Sequence, residues 1–269
     1  MTIQSISREE YDRIDAVNQS RLKLFSRSPA HARQMILHPP APTAAMTLGQ
    51  AVHAAVLGPA EFKLDFAAAP KIDRRTKAGR TQWDEFVDAN EEKIVLTDDE
   101  YNQCLAISRA VWSNPTAAEL LSGQGTNELT CQWTDTGLAC KSRIDRFSSI
   151  GGKPAVIDLK TTRDAGPDAF GREIAKYLYH LQAAWYLRGL RALSDMPRRF
   201  MIIAAEKTPP YCTCIYEVEG AALLEGDRLA TEYLGRYAHC LDTDQWPGYP
   251  AGIIAAQLPR WAVEGHTDE

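Results

Sequence analysis

Asp145, Asp158 and Lys160 lie within one stretch, RIDRFSSIGGKPAVIDLKTT (Arg143 to Thr162), and have residue types and spacing that could do chemistry. Two carboxylates a few ångströms apart suit a hard divalent cation such as Mg²⁺, which accepts one or two carboxylates and keeps several waters. A neighbouring ammonium adds positive charge for an attacking water or a developing phosphorane. Whether the three groups meet depends on their strands. Side chains on a strand alternate faces, so AVIDLK puts Val156, Asp158 and Lys160 on one face and Ile157 and Leu159 on the other. Gly-Gly is a favoured hairpin centre, and a turn symmetric about Gly151 and Gly152 opposes residues whose numbers sum to 303, which pairs Asp145 with Asp158. Cβ atoms of directly opposed residues are about 4.5–5.5 Å apart, where two like charges destabilise the sheet unless something compensates. D-x-K alone is weaker evidence, since an Asp-Lys pair on an exposed sheet face is usually a solvated ion pair.

Other residues fall where they could complete such a site. In TLGQAVHAAVLGPAEF, helical spacing puts Leu48, Val52 and Val56 on one side and Gly49 and His53 on another. Glycine removes a side chain at the contact, so His53 is expected to approach the sheet as a candidate metal ligand, against the commoner role of a satisfied structural histidine. A long helix is expected over PDAFGREIAKYLYHLQAAWYLRGLRAL, with an apolar stripe of Ile174, Leu178, Leu181 and Trp185 and a polar-tipped face of Tyr179, Gln182 and Tyr186. That face could orient Lys160, a water or a phosphate, or could reflect ordinary amphipathic packing. Lys141 and Arg143 are expected on the strand face of Asp145, and Thr161 and Thr162 follow Lys160; all four are candidate phosphate contacts.

The surrounding chain supplies the scaffold. Residues 10 to 40 read as helical, with Asn18 or Ser20 capping LKLF and Ser28-Pro29 opening AHARQMIL. KIDRRTKAGRTQW is basic and reads either as a substrate-facing segment or as a solvated loop, and two further helices follow. From Asn127 the period becomes strand-like through NELTCQW, LACKSRIDRF and AVIDLKTT, then RRFMIIAAEK and YCTCIYEV, with AALLEGDRLATEYLGRYAHCL as a closing helix. The tail WPGYPAGIIAAQLPRWA reads as an irregular strap anchored by several apolar residues. This order indicates a mixed sheet flanked by helices in an α/β or α+β layout. The expectation is one domain over 1–269, with a mainly helical part at 1–122, a sheet-and-helix core at 123–240 and the strap at 241–269.

Composition narrows the function classes. With 269 residues and 45% hydrophobic content the chain can bury a substantial core. No apolar run approaches a membrane span, and MTIQSISREEYDRIDAV lacks the regions of a signal peptide, so a cytoplasmic location without membrane partners is expected. Six cysteines without a C-x-x-C pair give little support to disulfides, zinc or an iron-sulfur cluster. A net charge of −5 argues against non-specific coating of nucleic acid while allowing a local basic groove.

An aspartate, then D-L-K on the next strand, then a helix carrying Q-x-x-x-Y (Gln182 to Tyr186), resembles the PD-(D/E)XK nuclease superfamily. More specifically, TLGQAVHAAVLGPAEF, CKSRIDRF, IDLKTT and YHLQAAWYLRG look like the phage and prophage proteins related to the nuclease domain of exonuclease VIII (RecE). The resemblance runs from NQSRLKLFSRSPAHA to the LPRWA tail. It implies a restriction-endonuclease-like core and a Mg²⁺-dependent deoxyribonuclease, with Mn²⁺ as a substitute and no iron-sulfur cluster. The implied activity is a 5′-to-3′ exonuclease on double-stranded DNA ends that prepares single strands for recombination. By motif position, Asp145, Asp158, His53 and the Leu159 carbonyl would hold the metal, Lys160 would be the catalytic lysine, and Gln182 and Tyr186 would be the helix motif. Asn18 and Ser20 would fall where lambda-exonuclease-like relatives bind the 5′ phosphate. Ile144 stands where the superfamily has proline before the first aspartate. The resemblance also implies a ring of three or four copies, a RecT-like single-strand annealing partner and a phage or prophage origin in a bacterial host. The rival readings are an endonuclease or flap nuclease of the same fold, and a non-catalytic DNA-binding recombination protein.

Overall fold

The computed structural model of the protein describes residues 2–194 and 198–258. Its strands are β1 (Thr2–Ser5), β2 (Phe66–Ala68), β3 (Ile94–Leu96), β4 (Thr126–Asp135), β5 (Leu138–Ile150), β6 (Lys153–Thr162), β7 (Arg199–Glu206) and β8 (Thr213–Glu217). Its helices are α1 (Arg8–Arg13), α2 (Gln19–Lys23), α3 (Pro29–Leu37), α4 (Ala44–Leu57), α5 (Pro59–Asp65), α6 (Lys77–Ala89), α7 (Asp98–Ser113), α8 (Pro115–Ser122), α9 (Pro167–Lys176), α10 (Tyr179–Leu193) and α11 (Gly220–Thr243). A six-stranded mixed sheet in the order β1-β4-β5-β6-β7-β8 forms the central layer, while β2 and β3 pair separately. Only β6 and β7 run parallel within the large sheet, and α9 and α10 make the crossover between them that a parallel pair requires.

Both faces of the sheet are covered, which explains why AVIDL and FMIIAA read as nearly continuous apolar runs. Val156, Phe200, Ile202 and Ala204 pack with Leu22, Phe25, Leu181, Trp185 and Leu234 on one face. Ile157, Leu159, Met201, Ile203 and Ala205 pack with Val52, Val56, Phe62, Ile107 and Leu120 on the other. The segment carrying His53 therefore lies across the sheet from the segment carrying Gln182. Among the described residues no helix is long and apolar enough to cross a membrane.

The hairpin forms in the expected register. Gly151 and Gly152 both take positive φ, 56° and 76°, as a two-residue primed turn requires, and opposed pairs run from Ile150↔Lys153 to Arg146↔Ile157, all summing to 303. The ladder then stops one step short of the aspartates. On the other edge of β5 the pairs with β4 also skip a step, from Leu129↔Ile144 to Asn127↔Arg146, and the skipped Glu128 has φ 56°. Ile144 and Phe147 pack into the same core cluster although residues three apart on a regular strand face opposite ways. The strand thus turns over at Asp145, and this inversion removes Lys141 and Arg143 from the face on which alternation had placed them.

The expected long helix is broken. Its two halves are separated at Leu178, whose φ of 54° and ψ of 45° are left-handed, a conformation that costs a residue with a side chain about 1–2 kcal/mol. Leu178 and Ile174 still pack against the core, so the apolar stripe survives the break. Residues 10 to 40 form short helices rather than one continuous run, with Asn18 and Ser28 capping α2 and α3 as expected. In the basic segment, the part from Lys77 onward is helix α6. The tail is anchored by Trp246, which packs on the core, and by Tyr249, whose hydroxyl accepts from Arg27 Nε at 3.0 Å. Ile253, Ile254 and Leu258 are exposed rather than anchoring, and Pro259–Ala262 of the expected strap lies outside the described residues.

Gly226 of α11 sits against the start of α10: a Cβ there would lie 2.1 Å from the His180 carbonyl oxygen. Gly235 of the same helix has open space around its missing Cβ. Gly226→Ala is expected to destabilise the fold by about 1–3 kcal/mol through overpacking, and Gly235→Ala to stabilise it by about 0.5–1 kcal/mol through helix propensity. Denaturant melts of the two variants check this, and equal shifts would refute the proposed contact.

Candidate active site

Where β5 and β6 part, a side chain takes over from the backbone ladder. Asp145 Oδ2 accepts the Leu159 N–H at 2.9 Å, and the Leu159 carbonyl oxygen lies 2.8 Å from His53 Nε2. His53 Nε2 is also 3.5 Å from Asp145 Oδ2. One residue to either side of Leu159, Asp158 and Lys160 lie close together, with Lys160 Nζ 2.6 Å from Asp158 Oδ2. Gln182 Nε2 donates to Asp158 Oδ1 at 2.6 Å. The structure therefore brings together Asp145, Asp158, Leu159, Lys160, His53 and Gln182, contributed by two strands and by helices on opposite faces of the sheet. His53 gets there without help from Gly49, since a Cβ on that glycine would meet nothing within 4 Å.

Burial governs the electrostatics. Asp145 has its carboxyl pushed up to about 6 by burial, with Asp158 acting in the same direction against His53, Lys160 and the Leu159 N–H. Burial alone would lower Lys160, but the carboxylates of Asp158 and Asp145 outweigh it and hold the amine above its ordinary value, so Lys160 remains an ammonium at neutral pH. Tyr179 has its ring 5.0 Å from Lys160 Nζ, and burial moves its hydroxyl up to about 12, which keeps it a donor. Tyr186 is buried behind the site, hydrogen-bonded to Gln182, with its ring edge-on to Phe200. It supports Gln182 rather than facing a ligand.

Lys23 was not among the residues expected here. Its ammonium stands 5.4 Å from the centre of the Tyr179 ring, so one ring serves two ammonium groups. Burial and then repulsion from Lys160 lower Lys23 to about 7. Its only sequence signal is a lysine inside the apolar run LKLF, whose neighbours Leu22 and Phe25 are fully buried.

The remaining expected residues are engaged elsewhere. Lys141 Nζ donates to the carbonyls of Tyr11 and Ile14 at 2.7 and 2.8 Å and lies over the Tyr11 ring. Arg143 pairs with Glu128 and reaches the Ile6 carbonyl. These two cations hold the segment 6–14 onto the sheet, which corrects their reading as phosphate contacts. Asn18 Oδ1 accepts from the Arg21 N–H as a helix cap, and exposed Ser20 accepts from the Gln19 amide. Thr162 is buried and exchanges hydrogen bonds with the Asp164 backbone, whereas Thr161 lines an open groove beside the site. The cysteines are free thiols among the described residues.

The donor set fits a hard divalent cation that keeps part of its water shell. Asp158 Oδ2 is buried with no aligned hydrogen-bond donor, since its contact with Lys160 is an ion pair by distance only. Two carboxylates and the Leu159 carbonyl supply oxygen, and His53 is the imidazole at their edge. Among the described residues no three His, Cys, Asp or Glu side chains already close on one point. His53 would have to exchange its contact with the Leu159 carbonyl to become a ligand.

A family described as a PDDEXK-like domain of unknown function (DUF3799) matches residues 18–257, a span that holds every group at the site. A crystal structure of a protein described as a "putative exonuclease" from Eubacterium rectale superposes with a TM-score of 0.63 at 14% identity, covering 98% of this chain and 99% of the other. The structure of SSO0001 aligns at 15% identity over 84% of this chain and 81% of its own, with a TM-score of 0.39. No curated protein matches the chain. The Eubacterium rectale protein thus shares the fold at low sequence identity.

Burial of Asp145 gives a stability prediction. Because its folded value lies above the ordinary 3.8, the protonated form is favoured by folding, and the stability it contributes is lost as pH rises from about 3.8 to about 6. Asp145→Asn is expected to raise the melting temperature in chelator at pH 7.5 by a few degrees, corresponding to on the order of 1–2 kcal/mol, and to raise it by well under half as much at pH 4.5. A lower melting temperature for the variant at pH 7.5 would contradict the assignment.

Proposed function

The chain belongs to the PDDEXK-like DUF3799 family of the PD-(D/E)XK nuclease superfamily, and from that premise we propose that it is a Mg²⁺-dependent nuclease hydrolysing DNA phosphodiesters. The observation that carries this reading is the gathering at the parting of β5 and β6 of Asp145 on the Leu159 N–H, His53 on the Leu159 carbonyl, and Lys160 Nζ 2.6 Å from Asp158 Oδ2. A cation held there by Asp145, Asp158, the Leu159 carbonyl and His53 would neutralise the scissile phosphate and lower the pKa of a bound water.

The other roles fall to the chain's own groups. Gln182 fixes the Asp158 carboxylate through Oδ1, leaving Oδ2 directed at the site. Lys160, kept protonated by its acidic neighbours, offers an ammonium to the attacking water or to a phosphate oxygen and does not serve as a base. Lys23 adds a second cation beside the Tyr179 ring, and anionic substrate relieves the repulsion between the two ammonium groups. Water is kept from the far side by Tyr186, Leu159 and Ile157, all buried.

The finer form of the proposal is 5′-to-3′ exonuclease action on double-stranded ends in recombination. The description of the Eubacterium rectale neighbour supports exonuclease action alone, and the polarity, the double-stranded ends and the recombination role rest on the likeness to exonuclease VIII-type proteins. A RecT-like annealing partner and a ring of three or four copies are the matching proposals for partner and assembly, and they rest on that likeness alone.

Digestion of 5′-phosphorylated, end-labelled linear duplex with Mg²⁺, Ca²⁺ or EDTA tests the reading. Loss of the 5′ label with Mg²⁺ and survival of a closed circle are expected; cutting of the circle would refute the exonuclease form, and no cleavage of either substrate would refute the nuclease. Asp158→Ala and Lys160→Ala are each expected to lower kcat/KM by about 10³-fold or more, consistent with loss of a preorganised charge in the transition state. Lys23→Ala is expected to lower it by about 10- to 100-fold while the variant still melts cooperatively. Wild-type rates in both Asp158→Ala and Lys160→Ala would remove the site from consideration.

A further inference from the structure

The groove beside the site has a wall that the catalytic reading does not use. It crosses the end of β6, where Thr161 and Arg163 lie, between Met46 at the start of α4 and the α9–α10 junction, with Lys207 beyond β7. At the junction Tyr177 and Tyr179 stack, with ring centroids 5.7 Å apart and planes at 29°. Residues two apart on a continuous helix point to different sides and cannot stack. The stack exists because Leu178, between them, adopts the left-handed conformation that breaks the helix. The strained residue and the paired rings are therefore one feature.

The rings form a short ladder from solvent to the reaction centre. Tyr177 is 45% exposed and stacks on Tyr179, and Tyr179 faces Lys160 Nζ at 5.0 Å. The Lys176 ammonium stands 5.2 Å from the Tyr177 ring. Arg163 and Lys207 line the groove, and no ion pair is formed by either among the described residues; Glu173 is the carboxylate in the lining. An exposed aromatic face with cations about it accommodates a base on the ring and phosphates beside it, sequence-tolerantly, because every base has a π-face. Bases inside a duplex already stack on each other and present no free face.

We propose that the Tyr177–Tyr179 stack, with Arg163 and Lys207, is a binding platform for unpaired nucleotides next to the scissile phosphate, so that the protein engages single-stranded nucleic acid at the point of cleavage. This rests on the nuclease reading of the adjoining site. Tyr177 supplies the outermost ring, Lys176 and Arg163 meet the phosphates, and the next nucleotide toward Tyr179 brings its phosphate to Lys160.

The test is binding by the full-length protein in EDTA, where no cleavage occurs. The probes are duplexes with a short unpaired tail of either polarity, carrying 2-aminopurine in the tail, and a blunt duplex of the same sequence. Wild type and Tyr177→Phe should quench the 2-aminopurine on binding, while Tyr177→Ala should not, and should bind the tailed probe about tenfold more weakly with blunt-duplex affinity changed less than twofold. The exposure of Tyr177 predicts an unchanged melting temperature for both variants. Quenching that survives in Tyr177→Ala, an equal loss of affinity for blunt and tailed probes, or no quenching by wild type would each overturn the platform. None of these outcomes touches the nuclease reading, which stands or falls on Mg²⁺-dependent cleavage by the wild-type protein.

Discussion

The hydrogen bond from the Leu159 N–H to Asp145 Oδ2 stands where a strand-to-strand bond would otherwise continue the hairpin. Because a carboxylate satisfies that backbone donor, β5 and β6 can separate without leaving the buried N–H unpaired. The Leu159 carbonyl is released toward His53, and Asp158 and Lys160 project past the end of the ladder. The inversion of β5 at Asp145, with Glu128 left-handed opposite, belongs to the same event. Without the turn-over the Asp145 carboxylate would not enter the gap.

The site gathers charge that the core alone would not tolerate. Asp158 is 1% exposed and Asp145 is largely buried, and each is held by named partners: Gln182 and Lys160 for the first, Leu159 and His53 for the second. Compensation is incomplete, since burial still pushes Asp145 up and leaves one oxygen of Asp158 without an aligned donor. The opposite imbalance sits a few ångströms away, where Lys23 and Lys160 share one tyrosine ring. An acidic half short of cations beside a basic half short of anions is the kind of electrostatic imbalance that clusters at functional sites.

Several features were legible because they depend on local chemistry. The glycine pair fixed the hairpin register, strand alternation put Asp158 with Lys160, and the Q-x-x-x-Y helix was found where its period put it. Lys141 and Arg143 were misplaced because alternation assumes an unbroken strand, and nothing in KSRIDR announces that β5 turns over at Asp145. The long helix was misread at Leu178 because leucine is a good helix former, and in the fold this left-handed residue packs against the core. Lys23 escaped notice because a lysine in an amphipathic run is ordinarily a solvated group, and only the fold reveals that its neighbours bury it.

By itself, the sequence determined the mixed α/β architecture, the identity of the acidic pair and its lysine, and the hairpin that aligns them, all of which follow from residue spacing and the two-residue period of strands. Tertiary structure alone decided which partners those groups meet. His53 and Gln182 come from helices on opposite faces of the sheet and are separated from Asp158 by 105 and 24 positions, and no local rule links them. It also decided the exposures that set the charges, because desolvation depends on the sum of all packing around a group and not on the residues beside it in the chain.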